Sequence, residues 1–232
     1  MAGKKVDPLL KIEQAEINNL IPANIIKKIK SRMHYLEESV RRVEHATKLK
    51  YPTHYIEPLL FIYSSRIELG QMGILYARTM PVDVGGSIEI VVQISSPLIA
   101  FGTKQTIDAV LTHEFLHYVE LVKRFSKLEI LSQELTSTMF EASYTDSEDL
   151  FPLEQSINNR PLKRLLKQRF SNGLIDEKLQ EKVEKQWLSK GLPAVKISPD
   201  SNVVNLSISS IINSRFDPFL TMRLDEIEQK DN

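Results

Sequence analysis

From Ile107 to Val122 the chain reads IDAVLTHEFLHYVELV, a stretch with no glycine or proline. Apolar residues at Ile107, Val110, Leu111, Phe115, Leu116, Val119 and Val122 follow helical spacing densely enough for a helix buried on most of its surface. Between Ala109 and Val119 the only charged side chain is Glu114. A carboxylate and two imidazoles are costly to bury in such surroundings unless they pair or coordinate. At about 3.6 residues per turn, His113 and His117 stand one above the other on one face, within reach of a single metal ion. Glu114 is turned about 100° from His113, near enough to touch a water on that ion and too far round to be an obvious ligand. The segment thus constrains the fold, which must build a core around this helix. It also constrains the chemistry, because His-Glu-x-x-His on a helix is a zinc pattern.

Two histidines leave a catalytic zinc site incomplete, since such sites hold three protein ligands and one open position. His34, His45 and His54 all precede the motif, none follows it, and the chain has no cysteine. The economical third ligand is a downstream carboxylate. Ser126-Lys127-Leu128-Glu129 has the form of a capping box, and Leu128, Leu131, Leu135, Met139 and Ala142 continue a helical stripe beyond it. If the motif helix ends near Arg124 and the chain doubles back at Phe125-Ser126, equal rise puts the position level with His117 about eight residues past the turn. Glu134 lies there. Glu141, two turns further along, is the reserve candidate, and Glu120 and Glu129 are less well placed. Read without a metal, Glu134 is an ordinary solvated glutamate.

The segment from Thr112 to Tyr118, followed by Gln133 to Glu141, resembles the gluzincin branch of the zincin metallopeptidases. In that family the third ligand lies on a glutamate helix beyond the motif, and the aminopeptidase members write it as Glu-Gly-x-Ala. Leu135 and Ser137 stand here where that pattern has Gly and Ala. The Gly-x-Met-Glu-Asn motif of the aminopeptidases does not occur in the chain. The resemblance implies an α+β fold with a zincin-like core, comprising a small sheet with a β-hairpin edge, an HExxH active-site helix and a glutamate helix. It implies Zn2+ held by His113, His117 and Glu134, with Glu141 in reserve, and a peptide or protein substrate.

The residues before the motif suit such a core. Gly73 to Met80 and Ser87 to Ser95 are rich in β-branched and aromatic residues, and Pro81-Val-Asp-Val-Gly85-Gly86 between them has turn chemistry, so the stretch reads as a hairpin. Pro97 and Gly102 then break the strand, and a helix starting near Thr103 or Thr106 carries the motif. Residues 88 to 94 are the expected cleft strand, able to take a substrate backbone by strand addition. An ordinary strand covered on both faces is the competing reading, because Val91 blurs the alternation of Ile88, Ile90, Val92 and Ile94.

Three sections are expected within one domain. Residues 1–50 hold a polar tail and one long amphipathic helix from Pro22 to about Lys48, with Ile25, Ile29, Met33, Leu36, Val40 and Val43 in a stripe. Residues 53–150 hold the metal-binding core. Residues 151–232 read as mainly helical, from Leu162 to Phe170 and from Asp176 to Lys190, with Asn172-Gly173 and Gly191-Leu-Pro193 at their ends. Val203 to Ile212 suits strand or helix equally. Arg160, Lys163, Arg164, Lys167 and Arg169 follow helical spacing beside Leu162, Leu165 and Leu166, the pattern of a solvated face.

Thirty basic and thirty acidic residues cancel, so no overall field draws in nucleic acid or an anionic membrane. The N-terminus lacks the apolar stretch of a signal peptide, and absent cysteine suits a reducing compartment, so a cytoplasmic protein is expected. The expected activity is a zinc metallopeptidase in which Glu114 activates a zinc-bound water and later returns the proton to the leaving amine. Tyr118, Tyr144, Arg78 and Tyr76 are candidate oxyanion donors. The alternative is a zincin-like regulatory or binding module whose site is silent or serves a single partner.

Overall fold

The computed structural model describes residues 7–64, 72–126, 150–170, 173–197, 206 and 208–231. In chain order the elements are α1 (Leu10–Ile17), α2 (Ala23–Ser31), α3 (Met33–Thr47), β1 (Thr53–Glu57), β2 (Leu60–Ser64), β3 (Met72–Leu75), β4 (Ala77–Asp83) and β5 (Ile88–Ser95). There follow α4 (Ser96–Phe101), α5 (Lys104–Ser126), α6 (Leu153–Ser156), α7 (Arg160–Arg169), α8 (Glu177–Gln186), a 3-10 turn (Leu188–Lys190), β6 (Ala194–Ile197), α9 (Ile208–Asn213) and α10 (Pro218–Asp231). The fold is mixed α+β, with small sheets among several helices. No described helix is long and apolar enough to cross a membrane.

Every residue from Thr106 to His117 is buried, because α5 is covered by α3, α7 and α10 and by β4 and β5. One hydrophobic core surrounds it and draws residues from Ile12 to Leu224. Burying α5 puts Asp108 inside too, and its carboxylate is matched by the Arg42 guanidinium reaching over from α3.

The strands form two three-stranded sheets, in the orders β1-β5-β4 and β3-β2-β6, and the first packs on α5 through β4 and β5. In the first, β1 runs parallel to β5 with Thr53 opposite Val91, and β4 runs antiparallel with Ala77 opposite Ile94 and Asp83 opposite Ile88. The expected hairpin is present, but it is tighter and later than the pattern suggests. β4 continues through Pro81 to Asp83, and the turn is Gly85-Gly86 alone, closed by Val84 N–H donating to Ser87 O at 2.8 Å. Both glycines have positive φ, +62° and +82°, which the two-residue hairpin turn needs if its twist is to match the strands. The stretch from Gly73 to Met80 is divided at Tyr76, its first half pairing with β2 in the second sheet.

The first section differs from the expected single long helix. α1 forms within the supposed polar tail, and the amphipathic stripe is cut at Arg32, where φ is −107° and ψ 5°. Arg32 leaves the helical path while its guanidinium donates to Ile99 O (2.7 Å) and to Gly102 O. It thereby caps the carbonyls at the corner between α4 and α5. Gly102 is required at that corner because a Cβ there would sit 2.5 Å from the Leu98 carbonyl oxygen. Gly102→Ala is expected to destabilise the protein by about 1–3 kcal/mol in denaturant titration, the usual cost of overpacking against backbone.

The two helices expected in the last section form with shifted ends, α7 starting at Arg160 rather than Leu162 and α8 stopping at Gln186, with the 3-10 turn carrying the chain on to Lys190. α7 is capped by Asn159, whose side chain accepts from Leu162 N, and α8 by Asp176, whose side chain accepts from Leu179 N. Gly191 closes the following turn at φ +63°. Within Val203 to Ile212 the residues from Ile208 onward are helical, and residues 203–205 and 207 lie outside the described residues.

Candidate metal centre

α5 turns one face toward the cleft between β4 and the Phe170 end of α7. On that face His113 Nε2 and His117 Nε2 lie 3.2 Å apart, with ring planes at 87°. Zinc–nitrogen bonds of about 2.0–2.1 Å at a tetrahedral angle place two ligating nitrogens about 3.3 Å apart. The observed separation therefore fits joint ligation of one ion as well as a hydrogen bond between the rings. Both arrangements require neutral imidazole, and burial pushes the His117 pKa well below the usual histidine value, helped by the neighbouring His113 and Arg124. His113 is clamped flat against Phe170, ring centroids 4.1 Å apart and planes within 7° of parallel. That contact fixes the ring at the angle from which Nε2 meets its partner.

Glu114 is buried beside the pair, 5% exposed. Its orientation comes from β4, where the Thr79 hydroxyl lies 2.7 Å from Oε2 and 3.0 Å from the Glu114 main-chain oxygen. The single hydroxyl proton serves one of these acceptors at a time. Ala77, Thr79 and Pro81 are the buried, helix-facing residues of β4, alternating with Arg78 and Met80 on the other face. From behind, Tyr51 donates to Leu111 O at 2.8 Å and stacks on Phe115. Burial raises the Tyr51 pKa well above the usual tyrosine value, and the Glu114 charge raises it further.

A cavity of about 20 Å3 lies between Tyr76, Val110, His113, Glu114, Phe170 and Leu174. Such a space holds one water or one ion. Phe170 and Leu174 form an isolated antiparallel bridge across it.

Among the described residues no group of three His, Asp or Glu side chains converges as a metal cluster. Glu134 and Glu141 lie outside the described residues, as does Glu129. α5 continues through Phe125 and Ser126, whose hydroxyl donates to Lys123 O at 3.0 Å, so the chain is still helical where the doubling back was expected. Glu120 pairs with Arg124 at 3.1 Å.

No family model, no curated protein and no solved structure matches this chain. The chemistry of the site therefore rests on its own geometry.

That geometry corrects two expectations. Residues 88 to 94 are not a cleft edge, because β5 lies between β1 and β4 and is hydrogen-bonded on both sides. β1 takes the edge that the sequence left open. Among the described residues β4 pairs with β5 alone, and Pro81, which has no N–H to give, is tolerated where its nitrogen faces away from the ladder. The edge beside the metal pair is β4. Of the oxyanion candidates, Arg78 is turned away from Glu114. Arg78 is on the opposite face of β4, bonded to Gln93 and lying over the Phe61 ring at 4.6 Å. Tyr118 is pushed up to about 12 by burial and by Asp217. The Tyr76 ring lines the cavity, but its hydroxyl, raised by burial, is under the influence of Asp176 and Glu184. Tyr144 lies outside the described residues.

Sequence reasoning missed Thr79 and Phe170. Thr79 carried a weak signal, an alternating strand residue on the face of Ala77. Phe170 carried none, since nothing local says where the end of α7 will pack.

Proposed function

We propose that this chain is a zinc-dependent metallopeptidase on a zincin-like core. His113 and His117 hold the metal with a carboxylate from residues 127–149, Glu134 first and Glu141 in reserve, and Glu114 acts as general base. The observation that carries this reading is the 3.2 Å approach of the two Nε2 atoms with the Glu114 carboxylate held at the same cavity. The donor set fits zinc, because two neutral imidazoles and a carboxylate make one of its common catalytic sites. Bound zinc supplies a Lewis acid that polarises a carbonyl and lowers the pKa of a water from 15.7 towards about 7.

The rest falls to the chain's own residues. Thr79 holds one carboxylate oxygen of Glu114, which keeps the base in a single rotamer. Glu114 takes the proton of the attacking water and delivers it to the departing amine nitrogen, a role it can fill because the cavity admits a single water beside it. The β4 edge offers main-chain groups to an extended peptide alongside Glu114. Phe170 and Leu174 must be displaced for that peptide to reach the histidines, since about 20 Å3 is far below the volume of one residue.

The closed cavity favours a second reading, a regulatory or binding module whose site is silent or opens for a single partner. Metal analysis and hydrolysis assays together separate the two. The peptidase reading expects close to one zinc per chain, lost in His113→Ala and His117→Ala, with cleavage of unstructured peptides abolished by chelator and restored by zinc. Stoichiometric zinc without cleavage supports the module, and absence of zinc ends both.

A further inference from the structure

The side chains that close the histidines' cavity belong to the junction of α7 and α8, and their fastening is visible. α7 packs on α5 and buries Leu162 and Leu166. Phe170 extends that stripe by one turn, its N–H bonded to Leu166 O at 2.9 Å, and lays its ring flat on His113. Leu174 bridges back to Phe170, and both side chains line the cavity shared by Glu114. Neither is fully buried.

The base of this junction is tied three times. Ile175 N–H donates to Arg169 O at 2.7 Å, and the Arg169 guanidinium meets the Asp176 carboxylate at 3.3 Å. The same Asp176 oxygen accepts from the Thr106 hydroxyl on α5. Thr106 precedes His113 by about two helical turns, so both lie on one face of α5. The junction is therefore latched at one end of that face and covers an imidazole at the other.

Between these points it is lightly held. Ile175 is 50% exposed, and Gly173 takes a φ of +94°. The helices on either side keep their own anchors in the core, Leu166 on α7 and Leu179 and Val183 on α8. Moving Phe170 and Leu174 off the cavity does not require unseating either helix, and a local opening of this kind costs far less than global unfolding.

We propose that Phe170 and Leu174 are a self-inhibitory plug, standing over His113 and Glu114 where a substrate side chain would lie and held shut by the latch of Arg169, Asp176 and Thr106. The inference rests on the metallopeptidase reading for what is inhibited, and on the geometry alone for the plug itself. With the plug seated, the cavity admits nothing larger than a water or an ion. With the latch open, the apolar space left by the ring takes a large apolar side chain of a peptide.

Chemical labelling of the histidines tests the plug with no metal present. The full, metal-free chain is treated with diethyl pyrocarbonate, which acylates neutral imidazole, and each histidine is followed by peptide mass spectrometry. The exposed His34 and His45 serve as references. In the wild type His113 and His117 are expected to label far more slowly than these. Phe170→Ala is expected to speed both by at least about tenfold, the scale of losing an aromatic stack and the contacts around it. Phe170→Leu, which refills much of the space, should stay closer to wild type. Arg169→Ala keeps both plugging side chains and weakens only the latch, and is expected to speed labelling by about twofold or more, the scale of one partly exposed ion pair. Wild-type labelling as fast as the references overturns the proposal. So do unchanged rates in Phe170→Ala or, should that variant unfold, in Arg169→Ala.

Zinc content and hydrolysis judge the peptidase reading separately. Zinc-loaded Arg169→Ala is expected to cleave an unstructured peptide with a higher kcat/KM than wild type, and equal values with zinc in both overturn the inhibition. A chain that labels as expected yet takes up no zinc keeps the plug and loses the peptidase. One that binds zinc and cleaves, with labelling the same in every variant, keeps the peptidase and loses the plug.

Discussion

Replacing Glu114 with Gln is expected to leave about one zinc per chain and to lower kcat for peptide hydrolysis by about 10²–10⁴-fold, the usual contribution of a positioned general base. The substitution suits this site for a structural reason. Thr79 donates to Glu114 Oε2, and the amide oxygen of Gln can accept the same hydrogen bond, so the side chain keeps its anchor and the cavity its shape. Only the capacity to take a proton is lost. The histidines keep their place, because Nε2 of His113 and Nε2 of His117 meet each other at 3.2 Å and His113 is held by its stack on Phe170. Metal content is read by mass spectrometry and kcat from cleavage of an unstructured peptide. A variant that cleaves as fast as wild type would show that Glu114 is not the base, whatever the histidines hold. A variant that has lost its zinc would make Glu114 a ligand and move the chemistry elsewhere.

Thr79 offers a check on the same geometry. Its hydroxyl reaches the motif helix by hydrogen bonding to Glu114, and it shows why a strand far from the motif in sequence belongs to the site. Sequence reading found α5 because its signal is local and long, an unbroken apolar helix that must be buried wherever it lies. The Gly85-Gly86 turn was legible for the same reason, since only a conformation of positive φ demands two glycines there. The start of α8 was legible at its capping residue Asp176, whereas α7 starts at Arg160, before the expected Leu162, on the cap that Asn159 supplies.

The order of the strands was not legible. β5 is central because β1 pairs with it in parallel, and parallel partners are joined by crossovers that leave no turn signature. β1, β2 and β6 are four or five residues long, too short for periodicity to announce them. The cut at Arg32 was hidden as well. No glycine or proline marks it, and the side chain leaves the helical stripe to satisfy carbonyls at the corner of α4 and α5. The meeting of His113 and His117 could be read from spacing alone. What surrounds it, Thr79 on one side and Phe170 on the other, is set by packing between distant elements.

The stability of that packing can be tested away from the chemistry, at Trp187. The residue is fully buried in the main core and stands where α8 gives way to the tight turn before β6. Its indole N–H donates to Pro193 O at 2.9 Å, and the same oxygen accepts from Leu60 N at 3.0 Å. One side chain thus joins α8 to the start of β2 and to the approach to β6. Trp187→Ala leaves a large cavity, at a cost of about 3–5 kcal/mol. In a chain of this length each kcal/mol lowers Tm by roughly 2–4 °C, so the expected fall is on the order of 10 °C. Trp187→Phe keeps most of the ring and loses the N–H, which is expected to cost about 0.5–1.5 kcal/mol for the hydrogen bond plus a smaller packing loss. Because no residue of the metal pair lies on β2, α8 or β6, zinc content in the Phe variant should equal that of wild type. If instead the Ala variant unfolded within about 1 kcal/mol of wild type, Trp187 could not be joining α8 to the β2–β6 sheet. The second sheet would then be held by its own ladder.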